Sequence, residues 1–173
     1  NIKSVLQSKV FDYFTDKLSE GMNGINMTQF KSLKNDIAEF GHKNEDEMNF
    51  LFRSLKHSLR TATDHASMHR YDRTVPSIKH GLNLSGLLYK NLCMIPVPSL
   101  RGHIDDLFDY IKETLQENLR VPLSDDLIEL SLLIKELEKG VNTLLVPIDS
   151  IRLPEIKSNQ EQEHETASRA LIS

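Results

Sequence analysis

A single cysteine, Cys93, excludes an intrachain disulfide and fits a reducing compartment, so the expected localisation is cytoplasmic or otherwise intracellular. Long apolar runs are missing too. None reaches the roughly 20 residues needed to cross a bilayer, and no charged-then-apolar signal segment stands at the N-terminus, so no membrane span is expected. The sequence starts at Asn1 rather than at methionine, which leaves room for a longer protein carrying a targeting segment upstream. A basic excess is absent as well. Lys and Arg number 21 against 25 Asp and Glu, a net charge of −4, the wrong sign for a protein whose affinity comes from neutralising phosphates. Nucleic acid binding would need a local basic patch. There is no phosphate-cradling glycine loop, no serine flanked by glycines in a nucleophile elbow and no cysteine pair, and no cofactor is expected.

What is present is helical periodicity. Ile2, Leu6, Val10, Phe14 and Leu18 recur every four residues, one apolar face of a helix that Gly21 and Gly24 end. Asn26 with Gln29 three residues on resembles a capping box, after which Phe30, Leu33, Ile37 and Phe40 predict a short helix stopping at Gly41. Asn44 with Glu47 is the next cap, with Glu45 and Asp46 beside it at the positive end of a helix dipole. Met48, Leu51, Phe52, Leu55, Leu59 and Ala62 make the buried stripe of that third helix, and Arg53, Lys56 and Arg60 suit its later turns.

Between residues 70 and 81 the periodicity fails around Pro76, which predicts a loop. Leu84, Leu88, Leu92 and Ile95 then mark a short helix, apolar on most sides and closed by Pro96 and Pro98, which places it centrally. Ser99 caps the next, whose face runs through Leu100, Ile104, Leu107, Ile111, Leu115 and Leu119 and stops before Pro122. Ser124, Asp125 and Asp126 open the last, where Leu127, Leu130, Ile134, Leu137, Val141 and Leu144 alternate at spacings of three and four. Ile128, Leu132, Leu133 and Leu145 broaden its stripe. Beyond Pro147, the apolar residues Ile151, Leu153 and Ile156 are interrupted by Pro154, and residues 158–168 are polar and aperiodic. The expected architecture is therefore all-α: one helical bundle of about five to six helices over 1–147, then an extended segment and a polar, disordered tail over 148–173.

Residues 57–80 hold His57, His65, His69 and His80, four of the seven histidines, with Arg60, Arg70, Arg73 and Lys79. His65 and His69, four apart, would share a helix face, and Asp64 or Asp72 could complete a metal site. Zinc normally takes three or four protein ligands and no matching pair stands on another helix, so no metal is expected and a solvated, cationic helix end is the simpler reading. Cys93 with His80 or His103 has the makings of a thiol nucleophile and base, but its apolar helix favours a core role. Asp105, Asp106 and Asp109 near His103 read as an acidic helix start.

Arg60 and His65, with four residues between them, resemble the motif of HEPN-type ribonucleases, a family of small helical bundles. Arg73 and His80 make a second such pair. The resemblance implies that Arg60 and His65 of two protomers face each other across a scissile phosphate. It covers six residues, and Thr61 stands where that family prefers Asn, Asp or His. The alternative for the same residues is an Arg60 that caps helix carbonyls and a half-exposed His65.

Two functions follow. The first is a non-enzymatic helical interaction module, adaptor, regulatory or host-factor-binding, that presents helix faces and the apolar island Ile151, Leu153 and Ile156 to a protein partner. The helix order, the proline-bounded stretch 119–133 and the polar acidic tail look faintly similar to the helical core of phlebovirus-type nonstructural proteins, which bind and disable host factors. That similarity illustrates the class and carries no site residue. The second is a helical ribonuclease or RNA-binding protein using Arg60 and His65. Homo-oligomerisation is open under both.

Overall fold

The first helix is nucleated where the sequence places its cap. In a computed structural model, which describes residues 26–145 together with Asp12 and Asp16, the Asn26 side chain accepts the Gln29 N–H at 2.8 Å. The Gln29 side chain in turn accepts the Asn26 N–H at 3.3 Å, which completes the capping box. From there α1 runs unbroken over Met27–Ser67, 41 residues and about 60 Å of helix. The expected stop at Gly41 is corrected, because this glycine serves packing rather than chain reversal. A Cβ at Gly41 would stand 3.2 Å from the backbone oxygen of Leu145, so its missing side chain lets the last helix approach closely. Asn44 is no cap either: from within the helix its amide donates to the Phe40 carbonyl at 2.8 Å.

At its other end α1 closes in a Schellman motif. His69, at φ 55°, takes the left-handed position that glycine usually fills. The Arg70 N–H reaches back to the His65 carbonyl at 2.8 Å and the His69 N–H to that of Ala66 at 3.1 Å. This tight turn leads directly into α2, Tyr71–Leu92, so the loop expected over residues 70–81 is helix. Pro76 sits inside α2, exposed, near the N-terminus, where its missing N–H costs one bond. The Thr74 hydroxyl donates to the Arg70 carbonyl at 2.9 Å, and Thr74 and Ile78 are completely buried. Packing has outweighed the local signal.

A 3-10 turn over Pro98–Leu100 carries the chain into α3, Arg101–Asn118, so Ser99 lies within that turn and Leu100 holds the cap position. The fourth helix, α4, spans Ser124–Leu145 and begins where the serine and two aspartates signal it. Residues 26–145 thus form four α-helices and no strands, which confirms the all-α class and gives one helix fewer than the five expected over that stretch. Two expected helices have fused into α1, and the stripe from Ile2 to Leu18 lies outside the described residues, as do the 147/148 boundary and the tail.

Helix α1 packs against both α2 and α4, α2 packs on α3, and α3 closes on α4, so the four helices ring one core. Leu55, Leu88, Ile111, Leu115, Leu133, Ile134, Leu137 and Val141 are fully buried there. Lys56 links α1 to α4 through Glu138 at 2.6 Å, an interhelix pair rather than the dipole contact its place in the sequence suggested. Two apolar expectations fail. Leu87 is half exposed, so α2 is not wrapped on all sides, and Ile128 and Leu132 face outward instead of broadening the buried stripe of α4.

Candidate functional site

The histidine-rich segment comes first because chemistry was sought there. Arg60 is exposed and His65 half-buried, both on α1. Five positions at about 100° per residue set them about 140° apart around the helix, so within one chain their side chains do not converge. His65 Nδ1 is enclosed, with no hydrogen-bond partner among the described residues. His69 does not share its face, because the helix has ended: its ring stands edge-on to Tyr71 at 5.9 Å between centroids and its Nδ1 lies 2.9 Å from the Tyr71 hydroxyl. His57, Asp64, Asp72 and His80 are all exposed, and among the described residues no three His, Cys, Asp or Glu side chains gather as metal ligands would. Arg73 and His80 return to one side of α2 two turns apart, both in solvent.

A polar cluster that sequence reasoning missed joins α2 to α3. The Tyr89 hydroxyl donates to Asp105 Oδ1 at 2.5 Å, and Arg101 Nε lies 3.4 Å from the same oxygen. The Asp105 carboxylate, aided by a hydrogen bond with Cys93 and by burial, pushes the Tyr89 phenol up to about 12, against the opposing Arg101. Hydrogen bonding with Tyr89 raises the Arg101 guanidinium further above its ordinary value. Asp105 therefore works as an acceptor between helices, not as a dipole partner at a helix start. Cys93 is half-buried against the core, and 13 residues along α2 separate it from His80 by about 20 Å.

The third candidate is apolar. Of the ten large apolar side chains exposed among the described residues, four fall within the twelve positions from Val121 to Leu132, the densest such run along the described chain. Asn118 builds the corner they occupy. Only 1 % exposed, its side-chain oxygen accepts the Leu123 N–H at 2.7 Å while its amide donates to the Thr114 carbonyl at 2.8 Å. These bonds fix the turn between α3 and α4. The turn leaves Val121 and Leu123 exposed and sets the rotation of α4, so that Leu127, Leu130 and Leu133 enter the core while Ile128 and Leu132 keep 46 % and 52 % of their surface in solvent.

The chain matches no protein-family model, no curated protein and no solved structure. The partner-binding island Ile151, Leu153 and Ile156 lies outside the described residues. No described helix is long and apolar enough to cross a membrane.

Proposed function

We propose that the chain is a non-enzymatic helical module that binds a protein partner through the corner between α3 and α4 and the first turns of α4. One observation carries this reading. On a helix whose inward leucines, isoleucine and valine are at most 3 % exposed, Ile128 and Leu132 stand half open one turn apart, beside the exposed Val121 and Leu123. An outward isoleucine and leucine at a spacing of four add little to the fold and offer a ridge to a groove or helix on another surface. The island Ile151, Leu153 and Ile156 belongs to the same reading on sequence grounds.

Affinity purification of the full chain with mass spectrometry, beside a variant carrying Ile128→Glu and Leu132→Glu, tests it. A partner should be held by the parent chain and lost from the variant, and a variant with Ile151→Glu and Leu153→Glu should weaken capture. An RNA-cleavage assay supplies the contrary result. Metal-independent cutting by the purified chain, abolished by Arg60→Ala with His65→Ala, would replace the interaction module with the ribonuclease.

A further inference from the structure

The open face of α4 has an order that its composition does not reveal. Asp125, Ile128, Leu132 and Lys135 follow one another at spacings of three, four and three, the a and d positions of a heptad, and fall within about 80° of the helix circumference. All four are exposed. The order is acid, apolar, apolar, base, so reversing it gives its own complement. Laid antiparallel against a second α4, Asp125 faces the partner's Lys135 and Ile128 faces the partner's Leu132, with each pair repeated across a two-fold axis at the level of Leu130. The two charged residues are also uncommitted: among the described residues neither makes an ion pair, whereas Lys139 and Glu136 on the same helix already pair at 3.2 Å.

We propose that the partner surface described above pairs with a second copy of this chain, as an antiparallel α4–α4 homodimer centred on Leu130. The inference rests on the interaction reading and names its partner. A two-fold interface must be self-complementary, and this face is so in both apolarity and charge. The apolar seam is two layers deep, Ile128 against the partner's Leu132 and the reverse, with an Asp125–Lys135 pair closing each end against water. Glu129 of each copy flanks the seam near the axis, a like-charge approach that sets a ceiling on its strength. A dissociation constant on the order of 10–100 µM is expected for so small an apolar seam.

Sedimentation equilibrium of the full chain from about 1 µM to about 1 mM reads the outcome directly. The weight-average mass should climb from 19.8 kDa toward twice that value. Leu132→Glu should hold it at one chain, with helical content by circular dichroism confirming the fold. Asp125→Lys alone and Lys135→Asp alone should each weaken the dimer roughly tenfold, since each turns two attractions into repulsions. The two together should restore it, because the swapped face is again its own complement. A single-chain mass at every concentration overturns the homodimer, as does a dimer indifferent to Leu132→Glu, and failure of the double swap to restore association overturns the antiparallel register. A monomeric chain that still captures a different protein through Ile128 and Leu132 overturns the homodimer while leaving the interaction module standing. Loss of both self-association and capture sinks both.

Discussion

Leu132 and Leu137 stand on the same helix, five residues apart, and the same truncation should separate their roles. Leu137→Ala removes three carbons from a side chain with no exposed surface in the middle of the α1–α4 contact. The lost transfer energy and the cavity left by a partly rigid surround put its cost between about 2 and 5 kcal/mol. Leu132→Ala removes the same atoms from a side chain that already keeps 52 % of its surface in water. Three carbons at about 0.8 kcal/mol each, halved for that exposure, give about 1 kcal/mol, and the higher helix propensity of alanine lowers it further. Helix propensity changes equally at both sites, so the difference of about 1 to 4 kcal/mol isolates burial. Urea melts followed by circular dichroism measure it, run near 1 µM so that any dimer is dissociated. The slopes should stay unchanged and the midpoints should diverge. A cost below about 1 kcal/mol for Leu137→Ala, or equal costs at the two sites, would show that α4 is not rotated as described, and the outward ridge would lose its basis.

Asn118→Ala should destabilise the chain by about 2 kcal/mol, because the Leu123 N–H loses its acceptor in a part-buried corner. The same variant should weaken partner capture, and a neutral effect on both would separate the corner from the interaction surface. Tyr89 predicts an alkaline pH response. Its phenol pKa is raised from about 10 in the unfolded chain to about 12, so the folded state binds the proton more tightly; the stabilisation is complete below about pH 10 and is lost as pH rises through about 12. Phenolate absorbance should show a late-titrating tyrosine that Tyr89→Phe removes, and that variant should flatten the fall of denaturation midpoint with pH over the same window. Lys56→Met should cost about 1 kcal/mol by leaving Glu138 without its cation, with side chains 31 % and 21 % exposed. A double-mutant cycle with Glu138→Gln should return a coupling of similar size, and zero coupling would mean that the pair forms without stabilising the α1–α4 contact.

The all-α class, the Asn26 cap, the start of α4 at Ser124 and the inward set Leu130, Ile134, Leu137 and Val141 were legible in the sequence. They depend on local chemistry and on a period of 3.6, which a chain carries wherever it folds. Breakers misled the same reading. Gly41 and Pro76 are local stop signals worth a few kcal/mol at most, and neighbours decided otherwise: Leu145 approaches the space that Gly41 leaves, and the burial of Thr74 and Ile78 holds Pro76 in helix. Arg60 and His65 looked like a pair because a motif counts positions, while a helix turns them apart.

By itself, then, the sequence determined the all-α class, the cap at Asn26 and the start at Ser124, and the principal inward stripes of α1, α3 and α4, because propensity, capping and amphipathic spacing are properties of neighbours along the chain. Only the tertiary structure decided which apolar residues are left over. Leu133, three residues from Leu130 and four from Leu137, keeps the register of the buried stripe, whereas Ile128 and Leu132 fall on the far side of α4, and spacing alone does not say whether a neighbour covers that side. The distinction comes from how the Asn118 corner sets α4 against α1 and α3, which have room for one side of that helix and leave the other to solvent. The union of Tyr89 with Asp105 arises in the same way, from two helices meeting 16 residues apart at a distance no pattern within either helix can express.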